Sequence, residues 1–165
     1  IQSFGEALHT RMDELTAARL AQLEQARSAR PGDLRAVLAA FVEPALAMAQ
    51  DRQSGGAFVR VIARAYAEKN DNLRKFLSDH YGHVLRDFGK AIGACVPGLS
   101  KEELYWRLDF LAGALTYAMA DFGLIKRPHG ISEAAHRSKA ANELIHFAEA
   151  GFRASAHGAT PPASP

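Results

Sequence analysis

Between Leu108 and Leu124 the sequence LDFLAGALTYAMADFGL carries only two charges, Asp109 and Asp121, and apolar residues fall on every side of a helix drawn through it. A helix that is apolar all round has to be covered all round. The segment therefore demands other helices packed about it, or a second molecule against it. A bilayer is a poor cover, because the longest nearly uncharged run, residues 110–120, is about half of the roughly 20 residues that a membrane span needs. Ser100 and Glu103 in SKEE form a capping box, in which each side chain satisfies an orphan N–H of the first turn, so the helix is expected to start there and run to about residue 123.

Five further segments show helical periodicity and none shows convincing strand alternation. Residues 4–27 place Phe4, Leu8, Met12, Leu15 and Leu23 near one face, and Pro31-Gly32 stops them. Residues 33–51 repeat Leu34, Val37, Leu38, Phe41, Val42, Ala45, Leu46 and Ala49 at i, i+3, i+4 and i+7. Pro44 lies inside this stretch and must kink or split it, since proline removes a helical hydrogen bond. Residues 57–69 carry Phe58, Val59, Ile62 and Tyr66, and Asn70-Asp71 can close this helix and cap its successor. That successor, about residues 72–96, keeps the period from Leu73 to Val96 although Gly82, Gly89 and Gly93 weaken its interior. Ser132 caps a sixth helix over about 132–155, with a stripe of Ala141, Leu144, Ile145, Ala148 and Phe152 and with Phe147 beside it. Residues 156–165 offer too little apolar surface to offset chain entropy and read as a disordered tail.

Composition narrows the class. At 165 residues, 48% hydrophobic and 23% charged, the chain holds enough material for one sizeable core. A net charge of +2, with both signs interleaved along the helices, supplies no basic stripe for nucleic acid. The single cysteine, Cys95, excludes an internal disulfide framework and a multi-cysteine metal site, and no secretory signal is visible at the start, so a reducing cytoplasmic setting is expected.

The R-P-x-x-L break, the FVEPAL segment, the two helices that follow, and the LDFLAGAL segment with its final amphipathic helix resemble the C-terminal domain of TetR-type transcriptional repressors. The resemblance covers residues 1–155. It implies an all-α six-helix bundle whose last two long helices, about 104–122 and 134–152, join those of a second subunit in a four-helix dimer interface. Such repressors begin with a three-helix head containing a helix-turn-helix, which this sequence lacks. The expectation is thus an effector-binding and dimerisation domain over 1–155, with a DNA-binding domain presumed upstream of residue 1.

The implied function is a ligand-responsive transcriptional regulator, a repressor rather than an enzyme. It would act as a homodimer on operator DNA through the missing head, with no cofactor and no membrane. A hydrophobic or amphipathic small molecule bound in the core would shift residues 4–27 and so change the separation of two DNA-reading heads. Candidate pocket residues are Phe41, Phe58, Ile62, Tyr66, His80, Tyr81, Trp106 and Phe110, large or polar-tipped side chains for which plain core packing is the competing reading. The expected dimer interface comprises Tyr105, Ala112, Leu115 and Met119 with Leu144, Ile145, Ala148 and Phe152, and the small residues Ala112, Gly113, Ala114 and Ala118 would admit a close partner helix.

Other chemistries find less support. Glu133 with His136 and Glu143 with His146 each make the E-x-x-H unit of di-iron bundles, but both lie on one helix, ten residues apart, and point in different directions. His80 and His83 have no evident third metal ligand. Cys95 reads as a small core residue, and Gly55-Gly56 follows no strand and lacks the spacing of a phosphate loop. A small helical ligand or haem carrier, or a helical enzyme subunit, is the alternative use of such a bundle.

Overall fold

The computed structural model describes residues 4–51, 55–69, 71–121 and 123–156, less the side chains of Phe4 and Tyr66. Six helices occur in the order α1 (Phe4–Ala29), α2 (Leu34–Ala49), α3 (Gly55–Ala67), α4 (Asp71–Cys95), α5 (Lys101–Ala120) and α6 (Glu133–Arg153), with no strand among the described residues. Local chemistry sets most of their ends. Asp33 caps α2 by accepting from the Ala36 N–H at 3.1 Å, Ser100 caps α5 through the Glu103 N–H at 3.1 Å, and Ser132 caps α6 through the Ala135 N–H at 3.2 Å. Gly32 turns the chain between α1 and α2 at a φ of 79°. The proposed cap at Asn70 and, from residue 157 on, the expected tail lie outside the described residues.

The bundle is arranged about α2, which packs against all five other helices. Eight of its residues are buried, among them Leu34, Leu38 and Val42, which with Phe88 and Ile92 of α4 are the largest fully enclosed side chains. Phe41 meets Phe88 edge-on, with ring centroids 5.2 Å apart. Pro44 does not split the helix, which continues through it to Ala49. Proline leaves the Ala40 carbonyl without its helical donor. One residue further on, the Phe41 carbonyl accepts a bond from Arg19 Nε on α1 at 3.0 Å, so an outside donor supports the ladder where it is weakened.

Two further contacts position the later helices. A Cβ on Gly55 would collide with the backbone carbonyls of Met48 and Ala49, so α3 can start this close to the end of α2 only with glycine there. At the other end of the molecule, Arg107 of α5 donates to the carbonyls of Gly151, Phe152, Ala154 and Ser155 at 2.8–3.2 Å, while Glu103 accepts from it at 3.1 Å. The last carbonyls of a helix have no donor within it. Arg107 supplies them from a neighbouring helix and ties α6 to α5.

The chain's own helices cover only part of α5. Within the chain only Leu111 and Leu115 of this helix are buried, while Leu104 and Leu108 pack partly against the core. The most enclosed helix is α2, whose run from Leu34 to Ala49 holds only two charges, Arg35 and Glu43, and leaves only Glu43 and Ala47 exposed. Replacing Phe88 by alanine should remove the largest enclosed side chain beneath α2 and cost about 3–5 kcal/mol, a large share of a typical domain's 5–15 kcal/mol. Urea unfolding measures it, and a loss below about 1 kcal/mol would show that the core is centred elsewhere.

Candidate functional site

A half-open cavity of about 530 Å³ lies between α1, α3, α4 and α5, with Phe41 contributed from α2. That volume falls within the range of about 300–1,000 Å³ typical of small-molecule sites. Its wall from α1 is Met12, Leu15, Thr16 and Arg19; α3 adds Phe58, Ile62 and Ala65; α4 adds Leu77, Tyr81, Val84 and Leu85; α5 adds Ala112, Leu115 and Met119. Apolar side chains dominate. Thr16, Ser78 and Thr116 offer hydroxyls, and Arg19, Lys69, Arg74 and Asp109 bring charge to the lining.

Helix α1 is held across this cavity by two polar ties. On one side Arg19, besides its bond to the Phe41 carbonyl, lays its guanidinium 4.0 Å from the centre of the Phe41 ring, a cation–π contact. On the other side the Tyr81 hydroxyl of α4 reaches α1, donating to Asp13 Oδ1 at 3.0 Å and lying 2.7 Å from His9 Nδ1. A single O–H proton serves both contacts if His9 Nδ1–H donates to the phenol oxygen and the phenol donates to the carboxylate. His9 Nε2 also lies 3.5 Å from Asp13 Oδ2, and the His9 ring packs near Phe76, His80 and Tyr81. Burial first, then the hydrogen bond and the negative charge of Asp13, push the Tyr81 phenol up to about 12, so it stays neutral and able to donate throughout the ordinary pH range.

The structure divides the sequence-derived pocket residues into three groups. Phe41, Phe58, Ile62 and Tyr81 line the cavity together. His80, Trp106 and Phe110 do not. His80 is exposed, its Nδ1 2.9 Å from the Phe76 carbonyl one turn back and its ring 4.3 Å from that of Phe76, while Trp106 and Phe110 sit on the opposite side of α5. The side chain of Tyr66 lies outside the described residues. Arg19, Asp13 and His9 were missed: Arg19 lies on the apolar stripe of α1, four residues from both Leu15 and Leu23, where a lone cation is itself a signal, whereas Asp13 and His9 lie beside that stripe at positions that the helical period marks as polar. Periodicity assigns the latter two to solvent, and only their partner on α4 reveals the other role.

The faces of α5 and α6 also differ from expectation. Leu115, Ile145, Ala148 and Phe152 are buried in the subunit's own core, Ala112 and Met119 line the cavity, and Leu144 is partly buried between α5 and α6. Tyr105 remains on the surface at 60% exposure, beside Trp106 at 49% and Phe110 at 65%, and Phe147 of α6 is 74% exposed. Trp106, Phe110, Gly113 and Tyr117 follow i, i+4, i+7 and i+11, a single stripe along α5. Between this stripe and Phe147 runs an apolar groove floored by Leu111, Leu144, Ala148 and Phe152. On α5 the expectation turned Trp106 and Phe110 inward and Ala112 and Met119 outward. The reverse holds because the buried side of α5 meets α3, α4 and the cavity, which Ala112, Leu115 and Met119 fit.

Elsewhere the chemistry is plain. Glu133, His136, Glu143 and His146 are exposed on α6, and among the described residues no group of three or more His, Cys, Asp or Glu is placed to hold a metal ion. Burial, and secondarily Asp33, push the Cys95 thiol up, away from the reactive thiolate. No described helix is long and apolar enough to cross a membrane.

Five helices packed about α2, with a largely apolar cavity against α1, define an all-α bundle. The family model described as tetracyclin repressor-like, C-terminal domain, matches residues 39–151, and the chain belongs to this family. The match runs from within α2 into α6 and so contains most of the cavity wall, whereas α1 precedes it. No curated protein and no solved structure matches the chain.

The tie between Tyr81 and α1 makes a titration prediction. A phenol whose folded pKa stands near 12 against an ordinary 10.0 adds stability that is complete below pH 10 and fades as pH rises toward 12, because the unfolded chain loses the proton first. Urea midpoints should fall across this window, and Tyr81→Phe should flatten that part of the profile. An unchanged slope would remove Tyr81 as the group responsible.

Proposed function

We propose that this domain is the effector-sensing and dimerising part of a ligand-responsive transcriptional repressor, and that a hydrophobic or amphipathic small molecule in the α1–α3–α4–α5 cavity acts by moving α1. One observation carries the reading: α1 forms a wall of the cavity and is tied across it, by Arg19 to the Phe41 carbonyl and by Asp13 and His9 to Tyr81. A ligand that wedges between α1 and α4 competes with those ties. The domain then redistributes between two positions of α1 according to the ligand's preference for each. Membership of the tetracyclin repressor-like family supports a DNA-binding head on the N-terminal side of α1, where such a displacement would change the spacing of two heads on the duplex.

Decanol, a neutral apolar probe, tests the mechanism through hydrogen exchange. Bound probe should alter the protection of α1 amides around residues 9–19, together with those of α4 near Tyr81. A response confined to α5 and α6 would take the transmitting role away from α1.

Dimerisation belongs to the same reading, with the outer face of α5 and α6 as the contact. Monomeric proteins seldom expose a contiguous apolar patch of this kind. Trp106, Phe110 and Phe147 surround an apolar groove, and nothing lies within 4 Å of a Cβ built on Gly113 or Gly151, so a second copy of the same two helices can approach closely there. A two-fold axis presents the same patch on both subunits. Because Phe110 and Phe147 are exposed within one chain, Phe110→Glu with Phe147→Glu should yield a folded monomer, seen as native helical circular dichroism with halved mass by light scattering. A wild-type monomer at micromolar concentration, or a variant that stays dimeric, would place this face outside the interface.

A further inference from the structure

The charges around the cavity are not balanced. Its described lining holds three cations, Arg19, Lys69 and Arg74, against one carboxylate, Asp109. Lys69 and Arg74 flank the corner between α3 and α4, so two positive side chains sit at one end of a mainly apolar chamber. Arg74 lies 3.9 Å from Asp71, in a pair where both side chains are largely exposed, which holds the guanidinium only weakly. Ser78, one turn along α4 from Arg74, adds a hydroxyl to the same wall.

The backbone at Lys69 is an independent observation. This residue follows the end of α3 with a φ of 47°, in the left-handed region that glycine or asparagine occupies at lower cost. A lysine in this region stores some backbone strain, and strain of this kind concentrates at ligand-binding sites. Solubility alone does not call for a cation at this position, since the helix termini around it carry charge already in Arg64, Glu68 and Asp71.

We propose that the effector is an amphipathic anion: an apolar body lodged among Leu15, Phe58, Ile62 and Leu115, with a single carboxylate-type head group at the α3–α4 corner met by Lys69 and Arg74. The inference rests on the cavity being the effector site and deepens that reading by assigning the sign of the ligand's charge. Charge-assisted bonds to a carboxylate are stronger than those to a neutral hydroxyl, and two cations beside a low-dielectric chamber discriminate against a ligand amine. Arg19, on the α1 side, adds to the positive potential felt by the ligand and lies on the helix proposed to move.

Isothermal titration of the full chain with decanoate, decanol and decylamine, which share one apolar tail and differ in head-group charge, tests the assignment. Decanoate should bind about tenfold or more tightly than decanol, decylamine should bind weakest, and the advantage of decanoate should shrink as salt rises. Lys69→Gly combined with Arg74→Gln should weaken decanoate about tenfold and leave decanol unchanged; both positions are exposed and the glycine relieves the backbone, so the variant should fold. Decanol or decylamine binding as tightly as decanoate, or a double variant with undiminished decanoate affinity, overturns the anionic assignment while leaving the cavity as the effector site. Failure of all three probes to bind overturns both.

Discussion

The enclosure of α2 is the constraint from which the other features follow. A helix with buried residues on nearly every face has to be surrounded, and five helices are the minimum that this chain uses to do so. Phe41 shows how closely structure and function are joined there. Its ring packs on Phe88 in the core, its carbonyl takes the Arg19 bond beside Pro44, and its edge reaches the cavity. The proline that weakens the ladder thus sits beside the point where α1 is attached, and attachment through a side chain is easier to disturb than a continuous helical ladder.

The cavity lies where α1 bridges α3, α4 and α5, away from α6. Helix α6 instead packs on α2 and α5, with its end held by the Arg107 bonds. Helix α1 buries Leu8, Leu15, Leu23 and Ala26 and packs extensively against α2, while its side toward α3, α4 and α5 borders the cavity and is joined to α4 there by the polar contacts of Tyr81. In the proposed dimer the aromatic stripe of α5 would meet a second copy on the side of that helix away from the cavity.

Much of the fold was legible in the sequence. Six helices, their ends within a few residues, the capping roles of Ser100 and Ser132, and family membership all follow from features spaced within a turn or two of each other. Four of the eight pocket candidates, Phe41, Phe58, Ile62 and Tyr81, lie together on the cavity because large apolar residues at helical spacing on several helices converge on one interior. The failures cluster on α5. Leu108 to Met119 is apolar on several faces, so periodicity leaves its orientation undetermined, and Trp106 and Phe110 were placed inside while Ala112 and Met119 were placed outside.

The sequence by itself determined what is local: which residues are helical, where caps and Pro-Gly breaks end them, and which helix stripes are apolar, since these depend on interactions within about one turn. Only the tertiary structure decided which stripe of α5 faces inward, that Arg19 and Tyr81 tie α1 across a cavity, and that Lys69 and Arg74 meet its apolar wall. Those relations join residues far apart in the chain, as with Tyr81 and His9 or Arg107 and Ala154. Their geometry is set by how all six helices share one limited interior, a collective packing condition that no single segment encodes.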